Sequence, residues 1–523
     1  MKKKILIFFF LFYTFSITAS AEIDPHCNNT TNQTISKDFD HLKIDNIFVK
    51  INNYRKWTKN GIRIITNKFR FTPEKYKQRF NAKVLVTYKN NAQCSIEARV
   101  RHSGDAKDHI TLHGNSILQS LDIHLTDGHI KGITKFKLYL PGTRGNETDE
   151  IIQTEILRDL GYIAPRTANV NVKINHAETK MLFQEKAAKE LLEYNKRKKG
   201  PILEGDQKFF FKLVEKIPDN QLSNNFVGTP SLRSKSIKAM LTKQSNPEII
   251  FENEKYETMS YEALTKLNLI YLYYSNRFQD EKNNFNYFDY DLDNNLLGLL
   301  NSNNILKLDV YNLLMQATNS QHSLSVSNRK FYWNFLENYF EPINYDSNIL
   351  INESSPTTTT VSFRLPISEE FYNAFGVLES KLNNLDLNKI NDRLKISGVF
   401  LSKNDLKNKI NKIISNLSVI KKAYLNIDKD LVNHNNLKSI DDEILNKFNE
   451  TLNEISPDIY LVKHDVNSGK LQRCKIYLKT CENYYFSNDN LADLLGGELV
   501  LNKKTYQYLG KNLKLNDINK IEN

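Results

Sequence analysis

The amino-acid sequence predicts an α+β fold: an antiparallel sheet portion, a helical portion and a small β-rich C-terminal appendage. Three observations carry this. Cys94-Ser-Ile-Glu-Ala-Arg-Val-Arg101 alternates with period two, as a half-buried strand does. Ile151, Ile152, Ile156 and Leu160 form one apolar helical face. Asn169-Val-Asn-Val-Lys-Ile174 then returns as a strand, so sheet, helix and strand pair follow in the order of an α+β unit.

At the amino terminus, Lys2-Lys-Lys4 precedes an apolar run from Ile5 to Ile17 and then Ala19-Ser-Ala21. This is the pattern of a signal peptide over residues 1–21. The run is shorter than the roughly 20 residues a membrane span needs. A mature chain starting near Glu22 is expected outside the cytoplasm, in the periplasm, at the cell surface or secreted; an uncleaved anchor is the alternative. No other segment is apolar enough to span a bilayer. Residues 22–80 read as an N-terminal extension, polar and irregular over 22–45.

Strands are expected from Ala82 to Tyr88 and from Cys94 to Arg101, around a turn at Asn90-Asn91. Others follow at Ser120–Leu125 and Lys135–Leu140. A helix from Glu147 to Leu160 ends at Gly161, a residue suited to the position after a helix. Asn175-His176 turns Asn169–Ile174 back into Lys180–Glu185. Residues 205–320 read as mostly helical, with Tyr261–Arg277 in the core and Asn283–Asn304 an exposed hairpin or insertion. Residues 81–350 make one core. Ser354-Ser-Pro-Thr-Thr-Thr-Thr360 is linker-like and opens a helical region over 351–455. There, a helix capped by Ser402 carries Leu406, Ile410, Ile413, Leu417, Ile420 and Tyr424 as a seam expected to dock on its own domain. Strands over 456–523 complete the chain.

The composition, 40% hydrophobic and 25% charged, is that of a globular chain. The net charge is +12, but Lys alternates with Asp and Glu and the basic block is Lys196-Arg-Lys-Lys199. This describes a mixed solvated surface rather than a nucleic-acid face. Cys27, Cys94, Cys474 and Cys481 lack the Cys-x-x-Cys spacing and the histidine pair of a zinc site. Disulfides suit an oxidising compartment. Cys474 with Cys481 and Cys27 with Cys94 is the preferred of three pairings.

The chemistry concentrates between His322 and Asp346. A loop carries His322 and Asn328; a strand runs from Lys330 to Asn334, a turn from Leu336 to Asn338, and a second strand from Tyr339 to Tyr345. A hairpin with an amide before one strand and a carboxylate after the other brings two oxygen ligands together. Such ligands suit Mg²⁺, held by one or two protein groups plus substrate phosphates. Gly104 follows a strand in a Gly-Asp turn whose backbone amides can approach a phosphate.

Several blocks together resemble the CotH family of atypical protein kinases: Arg101-x-x-Gly104-Asp105-x-Lys107-Asp108-His109, Gly132-x-x-Lys135-Phe-x-Leu, Pro141-Gly-Thr-Arg144 with Glu150, Val170-Asn-Val-x-Ile-Asn175, Glu185, Glu193-x-Asn195-x-x-x-x-Gly200-Pro-Ile-Leu203, and Asn328 to Asp346. The resemblance covers roughly residues 80–350 and implies an exported, bilobal, kinase-like fold that uses Mg²⁺ and ATP. It implies Asn328 and Asp346 as metal ligands. Gly104, Lys135, Arg144 and Glu185 become nucleotide-binding residues, Glu185 by holding a lysine. The family carries a catalytic Asp where this chain has Ser323, so His322, with an ordinary pKa of about 6.5, is the candidate base. The strand at 120–125 has Asp122 and His124 where relatives have basic residues, leaving Lys135 or Lys137 for the phosphates. Arg101 is expected to pair with Asp105 or Glu150. The implied reaction transfers the γ-phosphoryl group to a hydroxyl of an exported protein or surface glycan. The alternative is a pseudokinase serving as an envelope binding or assembly module. A glycan-binding or glycan-processing role rests on aromatic content alone.

Overall fold

A computed structural model describes residues 27–28, 43–67, 71–113, 116–214, 236–280, 292–353, 369–425, 448, 450–452, 458–465, 468–475 and 480–511. The signal segment 1–21, the whole 354–360 linker, and residues 283–291 of the expected insertion lie outside the described residues. The fold is mixed α+β. Among the described residues no helix is long and apolar enough to cross a membrane.

The first sheet holds β1 (Cys27–Asn28), β2 (Ile44–Ile51), β3 (Phe80–Tyr88), β4 (Gln93–His102), then, after the small β5–β6 hairpin (Ile110–His113 and Ser116–Gln119), β7 (Leu121–Leu125), β8 (Lys135–Tyr139), β9 (Thr167–Ile174) and β10 (Ala177–Glu185). Its order is β1-β4-β3-β2-β9-β10-β8-β7, and a further β4–β7 pairing closes it on itself. Closure removes exposed edges. Strand alternation sends Ile47, Val49, Val84, Val86, Ile96, Val100, Ile123, Phe136 and Val172 into one buried core. The opposite face is free to carry polar groups. β2 comes from the segment expected to be an extension; it pairs antiparallel with β3 and parallel with β9. β1 sets Cys27 opposite Cys94, and Cys94 is disulfide-bonded. Helix α1 (Tyr54–Thr66), capped by Asn53, packs on the β5–β6 hairpin.

Helix α2 (Glu147–Asp159) begins where the Asn146 side chain accepts from Thr148 N and Asp149 N, and Gly161 follows it with φ of 88°. A short α3 (Lys189–Tyr194) leads to β11 (Ile202–Gly205) and α4 (Lys208–Val214). With β12 (Thr242–Gln244), β13 (Lys330–Asn334) and β14 (Tyr339–Ile343), β11 forms a second sheet in the order β12-β11-β13-β14. Between them run α5 (Glu254–Asp280), α6 (Asn294–Leu297) and α7 (Ser302–Ala317). The stretch expected to be mostly helical thus hides two strands, β11 at its edge and β12 within it.

Helices α8 (Glu369–Asn383), α9 (Leu387–Ile396) and α10 (Lys403–Leu425) follow. Asp405 N and the Ser402 hydroxyl bond at 3.1 Å, closing the expected cap. All six seam residues of α10 are buried within this chain, in a cluster shared with α2, α7 and α8.

The last elements are β15 (Ile459–His464), β16 (Leu471–Lys475), β17 (Thr480–Asn483), α11 (Asn488–Leu495), β18 (Val500–Leu501) and β19 (Lys504–Gly510). Their sheet runs β17-β16-β15-β19-β18. Cys474 pairs with Cys481 across β16 and β17 and is disulfide-bonded to it. This segment is no loose appendage. Leu461, Val462, Tyr506 and Tyr508 share one buried cluster with Leu264, Leu267 and Tyr271 of α5. The Asn268 amide donates to Tyr508 O at 3.0 Å and Leu509 O at 3.1 Å, and its Oδ1 accepts from Thr242 N at 2.7 Å. That side chain ties the last strand to the second sheet.

Candidate functional site

The β13–β14 hairpin turns at Asn338, which adopts a φ of 54°, and its open end is the Lys330–Ile343 pair. Asn328 and Asp346 therefore emerge side by side. The short helical turn Gln321–Leu324 delivers His322 between them. His322 Nε2 lies 2.9 Å from Asn328 Nδ2 and 3.8 Å from Asp346 Oδ1. With the amide donating, Nε2 accepts and the ring proton sits on Nδ1. Gln207 Nε2 donates to Asn328 Oδ1 at 3.0 Å. Asp346 has φ of 56°, a left-handed conformation that Asp tolerates better than most residues. Its carboxylate is in direct contact with the Arg144 guanidinium. Ser323 is turned away: it is buried and its hydroxyl donates to Ser320 O at 2.8 Å.

A second set of groups faces this one from the outer side of the closed sheet. The ladders pair Arg101 with Asp122, Asp122 with Lys137 and Lys137 with Gln184, one line across β4, β7, β8 and β10. Since Leu121 and Ile123 point into the core, Asp122 points out; period-two alternation does the rest. Asp122 is buried, with Lys186 Nζ at 3.1 Å, Arg101 Nε at 3.2 Å and Arg79 Nη2 at 3.5 Å. Lys137 Nζ donates to the Tyr345 hydroxyl at 2.5 Å, just before Asp346. Lys330 contacts the Glu204 carboxylate and stands 4.6 Å above the Tyr345 ring. Arg101 thus pairs with Asp122 and Glu74 instead of Asp105 or Glu150. Asp105 is taken by Lys77 at 2.6 Å.

The cations outweigh the carboxylates here, and the titration behaviour registers it. Burial would raise the Asp122 pKa, but Lys186, Arg101, Lys137 and Arg79 hold it far below the ordinary carboxylate range. Burial lowers Lys186, and Lys137 and Arg101 lower it further against Asp122. Burial presses Lys330 toward its neutral form, as do Lys137, Lys186 and Arg144. Burial would raise the Tyr345 phenol, yet Lys137 and Arg144 draw it down. His109, beside this cluster, is lowered to about 4 by burial and by Arg144 and Lys137. Groups that suppress one another's charge leave a field suited to a polyanion.

The expected nucleotide residues fare differently. Arg144 is in the site. Lys135 is occupied by Glu248 at 2.9 Å, and Lys137, two residues on along the same face, takes the inner position. Among the described residues no lysine is on Glu185: Arg166 grips it with Nε at 2.9 Å and Nη2 at 2.6 Å. Gly104 has φ of 110°, and a Cβ there would lie 2.1 Å from the His109 ring, so its openness is filled by that ring. Arg79, Lys186, Lys330, Glu204 and Tyr345 complete the site and were not singled out from sequence.

An oxygen pair of this chemistry, one carboxylate and one amide, is of the kind that Mg²⁺ takes. Asp346 and Asn328 each offer an oxygen, and such an ion draws the rest of its octahedron from water and phosphates. Among the described residues no group of three or more His, Cys, Asp or Glu side chains is arranged to hold a metal by protein ligands alone. An ion entering here would have to separate Asp346 from Arg144 and Asn328 Oδ1 from Gln207. No family model matches the chain, and no curated protein matches it.

Proposed function

We propose that the chain is an exported, CotH-like phosphotransferase of bilobal, kinase-like architecture that moves the γ-phosphoryl group of ATP to a hydroxyl on an exported protein or a surface glycan. One observation carries this reading: the His322, Asn328 and Asp346 cluster faces the half-buried cations Lys137, Lys186 and Arg101 across Tyr345 and Arg144.

In this reading the closed sheet is one lobe and the second sheet with its helices the other. Lys137, Lys186, Arg101 and Arg79 bind and orient the phosphates, each charge-assisted contact being stronger than a neutral one. Asp346 and Asn328 would hold Mg²⁺, which when bound supplies charge neutralisation between phosphate oxygens. His322 Nε2, once it exchanges the Asn328 amide for the acceptor hydroxyl, takes that hydroxyl's proton. The new O–P bond forms as the bond to the β-phosphate oxygen breaks, and ADP departs with that electron pair.

Incubation of the mature chain with Mg²⁺ and γ-labelled ATP tests this. Label on the chain or on an added acceptor, lost in Asp346→Ala and reduced in His322→Ala, is the expected result. A pseudokinase is the second reading, favoured by the inward-facing Ser323 and by Arg144 on Asp346. It predicts no transfer, and absence of nucleotide binding at millimolar ATP would support it against the enzyme.

A further inference from the structure

We infer that Arg144 is a specificity gate on Asp346: its guanidinium covers the carboxylate and yields only when an anion draws it off, so that the site admits a cation–polyphosphate complex in preference to a free cation. This rests on the phosphotransfer reading and deepens it.

The gate's fixed part is its backbone. Arg144 lies in the turn between β8 and α2, where Gly145 has φ of 43° and a Cβ on it would sit 2.6 Å from the Asn348 carbonyl carbon. Asn146 N donates to Ile349 O at 3.2 Å. The turn is therefore pinned against the segment that follows Asp346, and any separation of the pair must come from side-chain motion. The arginine side chain is 8% exposed and Asp346 20%. In so dry a setting a lone divalent cation must compete with a guanidinium already in contact.

The moving part has somewhere to go. Arg144 Nη2 donates to the Tyr139 hydroxyl at 2.7 Å, and its guanidinium stacks 4.3 Å from that ring. Arg144 Nε takes no hydrogen bond among the described residues, and neither does Glu150 Oε2; both are buried. Glu150 keeps its other oxygen on Gln184 Nε2 at 3.0 Å. The charge of each of Arg144 and Glu150 acts on the other. A second acidic group with an open acceptor, its pKa raised by burial and lowered by the Arg144 charge, thus lies within electrostatic reach of the arginine. Phosphate oxygens arriving on Lys137, beside the same Tyr345 ring, would pull the guanidinium from the front.

Free Mn²⁺, followed by its electron paramagnetic resonance signal, is the probe, with sulfate as an anion that ligates Mn²⁺ weakly. The wild-type chain should bind Mn²⁺ feebly and gain about tenfold in affinity with sulfate, a coupling of ordinary size. Arg144→Gln should bind Mn²⁺ about tenfold tighter without sulfate and lose the sulfate effect. Glu150→Gln, which keeps its shape and its Gln184 contact, should tighten the gate and weaken Mn²⁺ binding, so the idea stays testable if Arg144→Gln fails to fold. Asp346→Asn should abolish binding in every background. Equal Mn²⁺ affinity in wild type, Arg144→Gln and Glu150→Gln, all lost with Asp346→Asn, overturns the gate and leaves the metal site standing. No Mn²⁺ binding in any form overturns both.

Discussion

The Lys186 ammonium reaches across β8 to lie 3.1 Å from Asp122 Oδ2. Neither residue is near the other in sequence or in strand pairing. Their contact makes Asp122 the counter-charge around which Arg79, Arg101 and Lys186 are assembled.

Asp122→Asn should therefore destabilise the chain by about 3–5 kcal/mol, the effect of removing one partner from a buried charge cluster. Urea unfolding measures it. Sulfate should recover more stability in the variant than in the wild type, because it replaces the missing negative charge. The pH dependence has a definite sign. The folded pKa of Asp122 is depressed. Its contribution is complete above the unfolded carboxylate value of about 3.9 and is lost as pH falls below it. Asp122→Asn should flatten the acid limb of the stability curve in that range.

Three histidines act in the same direction at milder acidity. Burial lowers His102, His109 and His464 to about 4 from 6.5. Below pH 6.5 the unfolded chain gains protons that the folded chain refuses, so stability falls between pH 6.5 and about 4. A shift of this size corresponds to roughly 3 kcal/mol per residue. His464→Gln, whose ring sits 3.1 Å from the Tyr508 hydroxyl, should make the midpoint of thermal unfolding less steep in pH over that window.

Phosphate binding separates two neighbouring lysines. Lys137→Met and Lys186→Met should each weaken tripolyphosphate binding by about 1.5–3 kcal/mol, the worth of a hydrogen bond to a charged group. Lys135→Met should change it little, since Glu248 already holds that ammonium. Calorimetric titration of the three variants decides the matter; an equal loss in all three would mean a diffuse field rather than a built site.

Asn268→Ala should destabilise by roughly 3 kcal/mol or more. It leaves Thr242 N, Tyr508 O and Leu509 O buried without their partner, at about 1–3 kcal/mol each. Hydrogen exchange should report early opening of β19 and β12 together.

Much of this was legible in the chain. Period-two alternation and turn residues gave the β3–β4, β9–β10 and β13–β14 pairs, and the helical stripe gave α2 and the buried seam of α10. The hairpin's ends put Asn328 and Asp346 at one end of the sheet, where each lies against His322, since local pairing decides that. β2 escaped because its partners, β3 and β9, lie far along the chain and its own sequence mixes Lys and Asn with Ile and Val. The line Arg101, Asp122, Lys137 escaped for the same reason: each strand discloses which residues share a face, but not the register against the next strand. Lys135 and Lys137 share one face, so sequence could not choose between them; Glu248, more than a hundred residues away, did.

The wedge of β15 and β19 against α5 fixes an order of events during biosynthesis. The side of α5 around Thr265 and Asn268 lacks its cover until the polypeptide has been made as far as Gly510. A nascent chain arrested before that point presents a greasy helix to chaperones and proteases, and a frameshift or early stop late in the reading frame would be removed by quality control rather than yield a shortened protein.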